Sequence, residues 1–358
     1  MEIFVGIFVF CIILFVYLHV KFQLKTSDDL EVYEIERPDK NRLEELCDLR
    51  QPLLFDYENS QLSQTFHRAF MAKNYGGFDI KMRTPKDTSV KEELFHLPLK
   101  LSAALELVRK EAGGASYFTE NSTDFLEETG LSKILRSADE FIRPYMYCNG
   151  SYDFMVGGDG VYTPLKYEIN YRNYIYVTEG EVTVRLTPPK NVRYLDEKKD
   201  YENFEFRSPV DIWNTQPEYT TSMEKTKYMD VKLVAGRILY LPPYWWYSIR
   251  FDKTASLLFF RYRTYMNNIA ILPRLIMCTL QNHNIKWDAN QKADTVNDEP
   301  EASVTPSSVV DTSVSGSGTD GGNGNNDLNN RSSGDDVNES ANQNKNEDAN
   351  LPQPMGSV

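Results

Sequence analysis

Between Tyr145 and Arg261 the chain is a succession of short β-branched and aromatic runs cut by turn residues, among them Gly157-Gly158-Asp159-Gly160, Thr187-Pro188-Pro189 and Gly236-Arg237. Runs of this kind between such breakers constrain the stretch to β-sheet. Tyr174 to Val177, the turn Glu179-Gly180 and Val182 to Leu186 read as a β-hairpin, and Val231 to Val234, Ile238 to Leu241 and Ser256 to Arg261 as further strands. With 22 Tyr and 19 Phe in a 41% hydrophobic chain, the composition fits a β-rich globular core. Periodicity alone gives these strands no topology.

Upstream the pattern is helical or weak. Leu30 to Ile35 reads as a short extended piece, and Asn41 to Leu49 as a short helix leading into a strand in which Pro52 fits the start of a sheet edge. Lys100 to Glu111 places Leu101, Leu105 and Val108 on one helical face before Gly113-Gly114, and this predicts a packing helix without chemistry. Ser132 is expected to cap a third helix carrying Leu135, Ala138 and Ile142 and ended by Pro144, with a loop from Ala115 to Leu131 before it. Ile269 to Leu280 is apolar enough for a buried or membrane-surface helix, but Pro273, Arg274 and a length well short of ~18 residues argue against a span.

The N-terminus differs from all of this. Ile3 to Val20 contains no Lys, Arg, Asp or Glu, and at ~1.5 Å per residue it is long enough for a membrane helix with little tilt. A cleaved secretory signal is the alternative, but no cationic n-region precedes the run and no small-x-small site follows it, which favours an uncleaved anchor. Lys21 and Lys25 flank its body side, so the positive-inside rule puts the body in the cytoplasm. Cys11, Cys47, Cys148 and Cys278 lack metal-ligand spacing and are compatible with a reducing compartment. The sequons at Asn121, Asn149, Asn330 and Asn338 would matter only for a luminal body.

From Asp288 to Val358 there is no Phe, Trp or Tyr, and thirteen carboxylates face three cations, so this tail supplies ten of the 13 net negative charges. Such a segment cannot bury enough apolar surface to offset its ordering entropy, and disorder is expected. An acidic chain is also a poor match for nucleic acid, and no nucleic-acid partner is expected. The organisation read from sequence is an anchor over 1–21, a stalk over 22–40, one domain over 41–287 with its β core at about 145–265, and a disordered acidic tail over 288–358.

Two segments carry a resemblance to a known family: Thr163-Pro164-Leu165-Lys166-Tyr167-Glu168 followed by Asn173 to Pro189, and Asp230 to Ile249 (DVKLVAGRILYLPPYWWYSI). Together they resemble the cupin-like, Jumonji-type oxygenases dependent on iron and 2-oxoglutarate, in particular the asparaginyl hydroxylase branch. The resemblance implies a mainly β fold with flanking helices, a double-stranded β-helix, here behind an N-terminal transmembrane helix. It also implies a facial triad of two His and one carboxylate, which leaves open positions on Fe(II). At the matching positions this chain has Lys166, Glu168 and Tyr247, and it has no histidine between His96 and His283. An ammonium offers a metal no lone pair. The family's cosubstrate lysine falls at Val182, and of the other cosubstrate contacts only Thr163 matches.

No metal and no cofactor are therefore expected, and no catalytic residue is assigned. Lys166 and Glu168, two apart on a strand, are expected to pair where iron would sit, or to reach solvent if the pocket has closed. Tyr247 is expected to be a neutral phenol filling the space of a lost imidazole. Trp245 and Trp246 are candidates for a pocket beside Thr163 and Val182, though aromatic rings next to strands pack more often than they bind. Arg185 and Arg261 are candidates for an anionic ligand at the barrel mouth. The leading expectation is a membrane-anchored pseudoenzyme that binds a ligand or serves as a structural unit, with the membrane as one partner and a protein of unknown identity as another. The alternatives are a hydroxylase with nonstandard ligands and an interaction protein recruiting through its acidic tail. The single anchor, degenerate barrel and Asn-rich tail together also resemble membrane proteins of large DNA viruses, which would place the body inside a virion membrane.

Overall fold

The computed structural model describes residues 1–84, 97–110, 117–201 and 203–297, with 110 and 285–297 described by backbone course only. Helix α1 (Glu2–Leu24) leads to strand β1 (Tyr33–Ile35), helix α2 (Lys40–Asp48) and strand β2 (Leu53–Asp56). Helices α3 (Ser60–Thr65) and α4 (Arg68–Tyr75) precede β3 (Asp79–Arg83), β4 (Leu97–Lys100) and α5 (Leu101–Lys110). The short β5 (Phe118–Thr119), α6 (Thr123–Glu128) and α7 (Leu131–Ala138) then lead into the long β6 (Tyr147–Gly157). Next come β7 (Lys166–Tyr167), β8 (Arg172–Glu179), β9 (Glu181–Thr187), β10 (Lys198–Asp200) and β11 (Glu205–Arg207). The chain continues through α8 (Thr220–Met223), β12 (Met229–Val234), β13 (Arg237–Leu241), β14 (Trp246–Phe251) and β15 (Ala255–Thr264), and helix α9 (Tyr265–Asn297) follows.

Among the described residues these strands form two sheets. One runs β1-β2-β13-β8-β15-β6-β5-β3-β4 and the other β10-β11-β7-β14-β9-β12. Between them lies an apolar layer that draws Met155, Ile175, Val177, Leu239 and Leu257 from the first sheet and Val182, Val184, Leu233, Ile249 and Phe251 from the second. The opposite face of the larger sheet carries Phe154, Tyr174, Tyr176, Tyr240 and Tyr262, which pack against Leu43, Leu62, Met71, Leu101, Val108 and Leu135 from the helices. The alternation of side chains along each strand separates these two layers.

Strand positions match the sequence reading, but pairing does not. β8 and β9 are joined by Gly180 and share no hydrogen-bonded ladder, since β8 lies between β13 and β15 whereas β9 lies between β14 and β12. The expected hairpin is instead a corner that carries the chain from one sheet to the other. Gly180 has φ +88°, and a Cβ there would sit 2.5 Å from the Thr254 carbonyl oxygen, so glycine is needed on both counts. Gly236, φ +91°, turns the corner between β12 and β13 in the same way.

Three smaller expectations also change. Pro52 immediately precedes a strand that is not an edge, because β2 has β1 on one side and β13 on the other. Ser132 lies inside α7, which starts after Gly130 and ends at Ala138, six residues short of Pro144. The stretch read as a loop from Ala115 to Leu131 contains β5 and α6.

Helix α1 is long and apolar enough to cross a membrane. Near its C-terminus, where the last carbonyls have no helical N–H to accept, the domain meets the carbonyls of Gln23 and Lys25. Buried Arg50, at φ +55°, donates to the Gln23 carbonyl (2.9 Å) and the Lys25 carbonyl (3.3 Å). In return the Arg50 carbonyl accepts from Thr26 Oγ1 (3.0 Å) and the Ser27 amide (3.1 Å), and Trp245 Nε1 donates to the Ser27 carbonyl (3.1 Å). The segment expected to be a stalk is thus joined to the domain from Gln23 onward, and β1 within it belongs to the larger sheet. α1 also packs against α9. α9 continues through the expected tail boundary at Asp288 to Asn297, and the rest of the expected tail lies outside the described residues.

Candidate functional site

The space between the sheets changes character along its length. On β15, Leu257 and Phe259 contribute to the apolar layer, and Arg261 and Arg263 continue the same alternation toward the surface. On β6, Met155 is apolar and Asp153 and Ser151 follow outward, with Ser151 paired to Arg261 across the ladder. The opposite sheet places Tyr247 of β14 directly across from Lys166 of β7. The mouth of the space is therefore charged, although its walls are the same strands that enclose the apolar layer.

Lys166 is buried and its ammonium bonds to Glu120, which is fully buried in the turn after β5. Glu120 also accepts from Arg83 Nη1 at 2.6 Å, and Arg83 is itself buried at the end of β3. Burial alone would raise the Glu120 carboxyl, but the attraction of Lys166 and Arg83 outweighs it and holds the pKa at about 2, below the usual 4.5. Burial likewise pulls Lys166 down, whereas Glu120, Tyr247 and Glu168 push it up, and the result is raised above its usual value. Both groups are ions in the folded state.

Glu168 does not pair with Lys166 as the two-residue spacing predicts. β7 ends at Tyr167, so Glu168 has already left the strand and the same-face rule no longer applies. Its Oε1 accepts from the Tyr247 hydroxyl (3.1 Å) and from Arg261 Nε (3.2 Å), and its Oε2 from Asn170 Nδ2 (3.3 Å). Burial raises the Tyr247 phenol, so it donates as a neutral group, as expected from sequence. The Lys166 ammonium lies 5.8 Å from the Tyr247 ring centre. Arg261 is also 3.8 Å from Asp153, whose carboxylate accepts the amides of Ser122 (2.8 Å) and Asn121 (3.3 Å).

Beside this cluster is a cavity of about 190 Å³ bordered by Lys166, Glu168, Asn170, Phe204, Arg261 and Arg263, among others. Four residues expected as pocket candidates do not border it. Val182 is fully buried in the apolar layer. Trp245 and Trp246, adjacent on the chain, point into two different apolar clusters, Trp246 against Tyr167 at 4.7 Å between ring centres. Thr163 is buried with its hydroxyl accepting the Ile249 amide at 2.9 Å, so it ties the β14 ladder rather than a ligand. Of the two arginines expected at an anion site, Arg185 is clasped by Asp230 through two contacts of 2.7 Å, and Arg261 by Glu168. The sequence reading missed Glu120, Arg83 and Asp153, which have no motif, and Arg263, which does have a signal: two residues beyond Arg261, it shares that side chain's face.

Among the described residues no three His, Cys, Asp or Glu side chains converge as a metal site would require. The model of the cupin-like domain family matches residues 33–268, well over half of the chain. The chain belongs to the cupin-like family. A comparison with curated proteins gave no match. The cupin-like domain begins within the segment expected to be a stalk and ends just inside α9, so β1 and all of the later strands lie within it. An iron ion does not fit the three positions compared with the Jumonji triad. One carries an ammonium already paired to Glu120, one a carboxylate already holding a phenol, a guanidinium and an amide, and one a neutral phenol.

Proposed function

We propose that this is a membrane-tethered cupin-like domain that binds a ligand or partner and has lost iron-dependent oxygenase chemistry. The observation that carries this reading is the buried Lys166–Glu120–Arg83 cluster, which places an ammonium where the resemblance puts a metal ligand and supplies it with its own countercharge. In this reading Lys166, Glu168 and Tyr247 are the degenerate ligand positions, now serving as structural members of an ionic mouth. We read β6 to β9 and β12 to β15 as a double-stranded β-helix. The strand orders β6-β15-β8-β13 and β7-β14-β9-β12 support it, as do the cross-sheet corners at Gly180 and Gly236. The apolar length of α1 supports the tether, and Lys21 and Lys25 on its body side support a cytoplasmic body.

The test is metal analysis of the full chain in detergent after anaerobic Fe(II) loading and removal of free metal, with 2-oxoglutarate binding followed by calorimetry. The expected result is no stoichiometric iron and no cosubstrate heat. One iron per chain together with 2-oxoglutarate binding would overturn the reading in favour of a hydroxylase with nonstandard ligands.

A further inference from the structure

We propose that the cavity at the mouth of the inter-sheet space binds a carboxylate group, and that Arg263 is the residue that holds it. The argument starts from a charge balance. Arg83 and Lys166 meet Glu120, Arg207 meets Glu205, and Arg261 meets Glu168 with Asp153 nearby, so four cations face four carboxylates. Arg263 is the fifth cation. Among the described residues no carboxylate lies within ion-pair distance of it.

Its surroundings make that surplus expensive. Arg263 is only partly exposed and sits over the Phe204 ring at 5.1 Å. Burial, first among its influences, pulls its pKa below the usual value even though Glu168 acts in the opposite direction. A partly desolvated cation without a countercharge is unfavourable unless something pairs with it. Nε donates to Asn170 Oδ1 at 2.6 Å, and this bond fixes the plane of the guanidinium. The two terminal nitrogens have no hydrogen-bond partner among the described residues, and the side chain borders the 190 Å³ cavity.

These features select the ligand. A surplus of one positive charge is neutralised by a monoanion, whereas a phosphate dianion would leave excess negative charge beside Glu168 and Glu205. A guanidinium fork matches a planar carboxylate through two parallel bonds. The cavity is small against the ~300–1,000 Å³ of typical ligand pockets, so it fits a short acid or a single acidic group presented by a larger molecule. The position is also distinct from Val182, where the resemblance places the cosubstrate's lysine, since Val182 is fully buried in the apolar layer.

The inference rests on the binding-module reading, and the two fail differently. Full chain in detergent, with a chelator present, is melted in sodium propionate titrated against sodium chloride at equal ionic strength. A saturable rise of roughly 2–4 °C is expected. Arg263→Gln should abolish the rise while melting no lower than the parent in chloride, because it removes an uncompensated cation. Arg263→Lys should respond only at higher propionate, because it keeps the charge and loses the fork. No saturable rise in the parent, an equal rise in Arg263→Gln, or a larger rise with inorganic phosphate would each overturn the proposal. A short glutamate-containing peptide that saturates below propionate assigns the carboxylate to a protein partner, and an indifferent peptide assigns it to a free acid. Either result keeps the site. A rise seen only after Fe(II) loading would sink the noncatalytic reading and this inference together, whereas no rise under either condition sinks this inference alone.

Discussion

The two ends of the space between the sheets are walled by the same strands, yet they are held together by different forces. At the inner end Val182, Leu257 and Ile249 exclude water, and their contribution follows the apolar area they bury. At the outer end Lys166 and Arg83 are buried and Arg261 is largely so, and there burial by itself opposes folding. Only the matching carboxylates make the outer end tolerable, so a replacement that preserves shape but not charge is mild at one end and severe at the other.

The sharpest way to break the comparison is to remove one charge. Glu120→Gln keeps the volume and leaves Lys166 and Arg83 without their countercharge, and it should lower the unfolding free energy by about 3–5 kcal/mol in urea. Lys166→Met in the same chain should recover part of that loss. Leu257→Ala at the apolar end should cost about 2–5 kcal/mol, and no change of charge should rescue it. If Glu120→Gln costs less than ~1 kcal/mol, the outer end is wet and the contrast fails.

Acid sharpens the same contrast. The Glu120 carboxyl is held at about 2 in the folded state against its usual 4.5, so its contribution is present above 4.5 and is lost as pH falls through that window. For Lys166 the shift is upward, so its contribution is complete below its usual pKa and is lost only in strong alkali. Stability measured between pH 5 and 2 should fall more steeply in the parent than in Glu120→Gln, whereas Leu257→Ala should run parallel to the parent. The smallest effect belongs to Tyr247→Phe, which deletes one hydrogen bond to a partly exposed Glu168 and should cost about 1 kcal/mol in the same urea assay. A much larger loss would mean that the phenol also organises Lys166.

Local signals carried much of the fold and less of the site. The strands from Val182 to Leu186 and from Ile238 to Leu241 were readable from β-branched runs, and α2 and α5 from composition and period. Gly180 was readable as a turn, but a turn residue reports its own backbone angles and not which strand its neighbours will join, so a cross-sheet corner was taken for a hairpin. Lys166 and Tyr247 were singled out in the sequence by comparison with the Jumonji triad. Their real partners were not, because Glu120 lies 46 residues away from Lys166 in a stretch without periodicity. The interaction of Lys166 with Glu168 failed where the strand ended one residue early.

Sequence by itself determined that α1 is apolar enough to cross a membrane, that the body is β-rich, and that the three positions compared with the Jumonji triad carry Lys, Glu and Tyr. These follow from residue types and their near neighbours, which the chain order states directly. Tertiary structure decided that Glu120 neutralises Lys166, that Arg50 fastens the end of α1 to the domain, and that Arg263 has no carboxylate within ion-pair distance among the described residues. The physical reason is that electrostatic pairing depends on distance in space and on burial, and both arise only when strands distant in the chain are brought into the same two sheets.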